Sequence, residues 1–362
     1  MLREQRLRDA IELLRSLAAD PAFPARMQQT LGALPSERCA IPSNERIDRR
    51  IPAPILNKRL TILAADGSQI NPDRHDLVSI GLINTAVIRY QTGSGVSPRI
   101  VTQTTLLDPD DFTADRGSLT EDQIALRRDV AERELLAAEA GKSDAGVPLV
   151  ALTDGPLELF TLRQAYAGQQ QYIDRYQSAL QVLFQQHVLL AGYIDRPRAD
   201  LVVRMLELAV LRQDETPTTT FVPVDDSLLF AGLLQAGERS AVFGLNSRSN
   251  RELDEALRFS FFYLNCGDSQ RPQIARVEIP AWVAADPEAI DLLHGCLLAQ
   301  TRITEGVPYP YILHRAHECA VVTLAEKERI QNLILREYAA QRVTLSGESG
   351  KQRLKTLSNR KS

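Results

Sequence analysis

The chain has only four cysteines, Cys39, Cys266, Cys296 and Cys319, and no two form a C-x-x-C pair. This scatter suggests neither a zinc knuckle nor a disulfide framework, and predicts reduced thiols. Long apolar runs are also missing. The longest, such as Val188–Ala191 and Ala320–Leu324, fall far short of the roughly 18 residues a membrane span needs, so no membrane association is expected. The opening residues Met1–Arg8 alternate charge and apolar side chains and lack the basic-then-apolar order of a signal peptide, which predicts a cytoplasmic protein. An excess of positive charge is absent too. Forty-two Lys+Arg against 46 Asp+Glu leave a net charge of −4, which excludes a uniformly basic nucleic-acid coat but permits a local basic surface over an acidic site. Internal repeats are not seen.

What is present is 362 residues, 44% of them hydrophobic, enough for one large or two modest domains with an ample core. Leu7, Ile11, Leu14 and Leu17 recur at helical spacing within residues 1–20. Six prolines between 21 and 57 predict an extended connector, so residues 1–57 read as a helix plus connector. Leu60–Ala65, Leu77–Tyr90 and Arg99–Leu107 then read as a three-strand antiparallel meander. A helix over about 120–140, a strand at Pro148–Thr153, a helix over about 162–186, a strand at Val188–Ile194 and a helix from about 198 to 212 alternate as in an α/β domain with a partly parallel sheet. Residues 213–285 return to short strand-like runs, an inserted β-rich segment. Two helical segments close the domain, placed at 58–342, before a basic tail at 343–362 that is expected to be disordered.

Two aspartate-glycine sequences, Asp66-Gly67-Ser68 and Asp154-Gly155-Pro156, each follow an apolar strand. Singly they read as turns. Together, at strand ends of an α/β sheet, their carboxylates could share a divalent metal and serve phosphodiester hydrolysis. A third carboxylate comes from the helix between them. On its wheel the stripe Ile124, Ala131, Leu135 and Ala138 leaves Glu132 and Glu134 about 80° to either side, so the wheel does not choose between them. Later in the chain, His314 and His317 stand three apart in Gly306–Glu318, a spacing that fits neither zinc-hydrolase motif.

In this order, Asp66-Gly67-Ser68, Arg128 with Glu132 or Glu134, Asp154-Gly155-Pro156-Leu157, and Tyr309-Pro310-Tyr311-Ile312-Leu313-His314-Arg315-Ala316-His317 resemble the NurA nucleases over about residues 60–340. The resemblance implies an RNase H-like core with a mixed sheet flanked by helices. It also implies a manganese-dependent DNA nuclease, with magnesium as a second possible ion. Such an enzyme is a 5′–3′ exonuclease and single-strand endonuclease acting on single-stranded DNA and duplex ends in end resection and repair. A homodimer partnered by a hexameric HerA-type translocase ATPase is implied as well. Carried over by position, Asp66, Asp154 and Glu132 or Glu134 become metal ligands, His317 a ligand or general acid/base, and Tyr309 a positioner of substrate or water. The segment Gly192–Pro197 departs from the pattern in having no lysine, leaving Arg196 and Arg198 in its place. Arg127, Arg128, Arg196, Arg198 and Arg315 are the candidate DNA contacts. The alternatives are a catalytically silent DNA- or translocase-binding scaffold of the same fold, and a phosphoesterase acting on small molecules. A basic track long enough for several phosphates separates a nuclease from the latter.

Overall fold

The computed structural model describes residues 2–72, 80–107, 120–142, 146–159, 168–211, 219–304 and 306–341. The tail expected at 343–362 and the starts of the strand read at Leu77–Tyr90 and of the helix read over about 162–186 lie outside them. In chain order the elements are α1 (Leu2–Ala18), α2 (Phe23–Ala33), β1 (Cys39–Pro42), β2 (Arg50–Ile51), β3 (Thr61–Ile70), β4 (Leu82–Gln91), β5 (Arg99–Leu106), α3 (Glu121–Ala140), β6 (Leu149–Asp154), α4 (Gln169–Gln185) and β7 (Leu189–Asp195). There follow α5 (Leu201–Ala209), α6 (Asp226–Ala231), β8 (Arg239–Ser240), β9 (Phe243–Asn246), α7 (Arg248–Arg251), β10 (Phe259–Asn265), β11 (Ile274–Pro280), α8 (Ala281–Ala284), α9 (Pro287–Thr301), α10 (Tyr311–Ala320) and α11 (Leu324–Ala340).

Among the described residues all strands join one sheet, with the path β1-β9-β10-β11-β7-β6-β3-β4-β5 and β2–β8 attached to β10. The expected meander is there: β3, β4 and β5 pair antiparallel. On its other edge β3 pairs parallel with β6, and β6 parallel with β7. The strands of the β-rich segment at 213–285 belong to the same sheet. They continue the sheet, β11 lying antiparallel beside β7.

Three expectations need correction. Residues 21–57 hold α2, β1 and β2 and are not an extended connector, since Pro24 sits in the first turn of α2, where a missing N–H costs nothing. Asp66-Gly67-Ser68 is not a turn but part of β3, paired with Ala86, Thr85 and Asn84 of β4. Phe221–Pro223 is a turn, and α9, α10 and α11 replace the two closing helices.

The core divides by sheet face. β3, β6, β7, β10 and β11 bury Ile62, Val150, Tyr193, Phe262 and Val277 against α9 and α10, while Leu63, Ala151 and Leu190 meet α3 and α4 on the opposite face. A third cluster joins α1 and α2 to α5, α6 and the β9–β10 strands. Here α1 buries Ala10, Leu14 and Leu17, while Leu7 and Ile11 pack partly. All four cysteines are free. No helix among the described residues is long and apolar enough to cross a membrane. Since Leu14 is fully buried in that cluster, Leu14→Ala should cost about 2–5 kcal/mol of stability, the scale of a core leucine deletion. Denaturant unfolding checks it, and an unchanged midpoint would mean that α1 does not belong to the core.

Candidate active site

The sheet register brings two carboxylates together. Ala65 of β3 pairs with Thr153 of β6, so the next residues, Asp66 and Asp154, stand side by side on parallel strands, and Asp154 in turn pairs with Tyr193 of β7. Successive side chains of a strand point to opposite faces. Asp66 and Ser68 therefore share the α10 face, and Gly67 looks towards α3.

Ser68 and its cross-strand partner Asn84 fix α10. The Ser68 hydroxyl donates to the Ala320 carbonyl at 2.5 Å and Asn84 Nδ2 donates to the same oxygen at 2.8 Å. They satisfy a carbonyl that the helix end leaves without an internal partner. At the other end, the Ile312 amide donates to Gln300 Oε1 at 3.0 Å. Held this way, α10 sets His317 Nδ1 2.6 Å from Asp66 Oδ2. A carboxylate only accepts, so the hydrogen is on Nδ1 and Nε2 is left outward on a ring that is 62% exposed. His314 instead pairs with Glu318 at 3.5 Å on the solvent side.

Tyr309 approaches from the loop before α10. Its ring meets Tyr193 edge-on at 5.6 Å, and its hydroxyl donates to Asp154. Removal from water, reinforced by the negative charges of Asp154, Asp66 and Asp195, holds the Tyr309 phenol well above its ordinary range, so it stays a donor. Partial desolvation and the charge of Asp66 likewise raise the Asp154 carboxyl, against the lowering effect of the Tyr309 hydrogen bond.

The two glutamates are now distinguished by position. Glu132 is buried above Gly67, where a Cβ would lie 2.6 Å from its Oε1, and it takes ion pairs from Arg128 and Arg133, each at 3.4 Å. Burial, with Asp129 and Asp66 adding to it and the two arginines opposing it, pushes this carboxyl up to about 8. Glu134 turns to α4, where Arg175 holds it with two bonds of 2.6 and 2.7 Å. The predicted helix stripe is too narrow. Ala138 is exposed, whereas Leu126, Val130 and Leu136 are buried, because α3 is covered by the sheet and by α4.

Of the candidate DNA contacts, Arg128 bonds Asp129 at 2.8 Å and so belongs to the charge balance around Glu132. Arg127 lies over the Tyr172 ring, Arg196 stands 3.8 Å from Asp195, Arg198 is exposed, and Arg315 pairs with Glu318. Asp195, which none of the motifs singles out, acts through its charge on Tyr309 and accepts from Gln273 at 3.1 Å. It ends an apolar strand just as Asp154 does, and that signal could have found it. Among the described residues no three Asp, Glu, His or Cys side chains converge into a preformed metal cage. The donor chemistry nonetheless suits a hard divalent ion: the neighbouring Asp66 and Asp154 repel one another, and Glu132 lies beside β3 in the field of Asp66.

A β3–β4–β5 meander joined in parallel to β6 and β7, with acidic residues on β3, on α3 and at the end of β6, defines an RNase H-like fold. The sequence matches the family described as NurA domain over residues 60–322, and the chain belongs to the NurA family. The fold is similar to the NurA nuclease from Sulfolobus solfataricus, with a TM-score of 0.55 at 12% identity over 81% of this chain and 88% of that one. The catalytic domain of human Endonuclease V aligns with a TM-score of 0.36 at 17% identity, over 86% of this chain and 96% of that one. No curated protein gives a significant match.

The raised Glu132 carboxyl makes a pH prediction. Between 4.5, its ordinary value, and about 8, the folded state keeps a proton that the unfolded chain releases, so this group withdraws stability as pH rises through that window. In metal-free buffer, Glu132→Gln should therefore gain on the wild type in melting temperature from about pH 5 to about pH 8. Calorimetry at both ends tests this; a difference independent of pH would show that Glu132 is ionised throughout.

Proposed function

We propose that this protein is a divalent-metal-dependent DNA nuclease that hydrolyses phosphodiester bonds at Asp66, Asp154, Glu132, Tyr309 and His317. The observation that carries the reading is the juxtaposition of Asp66 and Asp154 on adjacent parallel strands, with His317 bonded to one and Tyr309 to the other. Membership of the NurA family and the likeness to an archaeal NurA nuclease support it. Manganese is the ion we assign, with magnesium as second choice. Asp66, Asp154 and Glu132 would hold it, and Glu134, committed to Arg175, would not. When bound, the ion lowers the pKa of water and neutralises charge on the phosphate.

The protein's own groups do the rest. Asp66 orients the His317 ring, whose outward Nε2 takes a proton from the attacking water or gives one to the leaving oxygen. The Tyr309 hydroxyl, kept protonated by its removal from water and by its carboxylate neighbours, fixes the orientation of Asp154. Arg196 and Arg198, beyond the end of β7, and Arg127 would meet the backbone of a single strand or a duplex end. On the same reading the protein works in the cytoplasm as a homodimer in 5′–3′ exonucleolytic and single-strand endonucleolytic end resection and repair, with a HerA-type hexameric translocase.

Asp66→Asn and Asp154→Asn should each abolish manganese-dependent cleavage of single-stranded DNA while the melting temperature in metal-free buffer holds or rises, because each removes one of two repelling charges. Gel-based cleavage assays with calorimetry test this, and full activity in either variant would overturn the site. His317→Ala should slow turnover by about two to four orders of magnitude with DNA binding retained, whereas His314→Ala should stay near wild type. Equal losses at 314 and 317 would remove His317 from the chemistry.

A further inference from the structure

The turn that follows Asp154 is gripped by buried polar groups from four elements. Gly155, with φ +83°, donates its amide to the Tyr193 carbonyl at 2.9 Å. The turn then folds back over Gly192 of β7 so tightly that a Cβ there would lie 2.6 Å from the Gly155 carbonyl oxygen. The Leu157 amide donates to Glu278 Oε2 at 2.8 Å, and the Leu157 carbonyl accepts from the Tyr176 hydroxyl of α4. The Pro156 carbonyl faces Arg133 Nη2 of α3 at 3.5 Å. Arg133 also sends Nη1 to Glu132 Oε2 at 3.4 Å, and Glu278 is matched by Arg276 Nη2 at 3.0 Å.

These groups are far from water: Glu278 is 0%, Tyr176 2% and Arg133 3% exposed. Burying two arginines and two glutamates is a poor route to stability, since well-packed apolar side chains of similar volume serve as well or better. What the charges supply is direction. A guanidinium offers donors in a rigid planar fork, and Arg133 spends one arm on the Glu132 carboxylate and the other on the turn carrying Asp154.

The geometry points to Arg133, with Tyr176 and Glu278, as a buried positioning clamp that sets the separation of the Glu132 and Asp154 carboxylates and thereby the affinity of the site for a divalent cation. None of the three touches substrate or the reacting atoms. The inference rests on the reading above in which Asp154 and Glu132 hold the ion, and the experiment separates the two.

The intact protein is titrated with Mn²⁺ alone, following loss of the free-ion electron paramagnetic resonance signal, in parallel with melting temperature. Arg133→Lys keeps the charge but loses the fork, and Tyr176→Phe removes one hydroxyl while keeping the ring. Glu278→Ala deletes the acceptor of the Leu157 amide, which Glu278→Gln preserves. Arg133→Lys and Glu278→Ala are expected to weaken Mn²⁺ binding by about 10–100-fold, the usual effect of losing a partner that orients a metal ligand, with a smaller loss for Tyr176→Phe and partial recovery in Glu278→Gln. Asp154→Asn is the control. If it leaves Mn²⁺ binding intact, the assignment of the metal site fails. If it weakens binding while Arg133→Lys and Tyr176→Phe, both folded, bind within about twofold of wild type, the clamp is overturned and the metal site stands. Should Glu278→Ala not fold, those two variants decide the matter.

Discussion

Everything around the site depends on how closely α3 can approach β3, and that distance is set by the missing side chain at position 67. A Cβ on Gly67 would meet both Glu132 Oε1 and Arg128 Cγ inside 3 Å. Neither can retreat easily, because Glu132 is pinned between two arginines and α3 is backed by α4. With hydrogen at that position, the glutamate settles against the strand bearing Asp66. It enters the field of that aspartate, although its own helix lies on the opposite face of the sheet.

The close approach gathers negative charge that the protein only half neutralises. Arg128 and Arg133 partner Glu132, but Asp66 and Asp154 share little besides one imidazole and one phenol. In a stability-driven design, such a set would be replaced or fully paired. Here the deeper groups are paired, Glu132 with two arginines and Glu278 with Arg276, while the outer carboxylates are the ones in deficit. The imbalance lies on the side open to solvent, where a cation or a phosphate-bound cation would arrive. Just past the end of β7, Arg196 and Arg198 are exposed, Arg196 standing 3.8 Å from Asp195.

The sequence made some of this legible and hid the rest, for physical reasons. The aspartates stand out because each follows a run of apolar β-formers, Leu60–Ala65 and Leu149–Thr153, which fixes strand and direction at once. The choice between Glu132 and Glu134 was hidden because a wheel assumes one buried face, and α3 has two, one on the sheet and one on α4. The helix α2 was hidden by Pro24, a residue that breaks helices everywhere except in the first turn, where it lies. Asp66-Gly67-Ser68 reads as a turn by composition, yet ten cross-strand pairs carry β3 through it to Ile70, since β4 offers a partner at every step. Glu278 and Arg276 gave no signal at all. Alternating charges in Ile274–Pro280 look like a wet strand face, but β11 is an interior strand between β10 and β7 with every residue buried, and the turn after β6 folds over Glu278 through the Leu157 amide.

The three residues of Asp66-Gly67-Ser68 then show why such a short motif can specify a site. Alternation along the strand gives Asp66 and Ser68 to one face and Gly67 to the other, so consecutive residues serve α10, α3 and α10 again. Ser68 caps the end of α10 at Ala320, Asp66 receives the imidazole that this cap positions, and Gly67 admits Glu132 from behind. A turn could not do this, because its side chains lack a fixed alternation relative to the sheet. Only as an internal stretch of β3, paired with β4 at every step and continuing directly from the β6 pairing that ends at Ala65, do the three residues draw two helices from opposite faces towards one pair of aspartates.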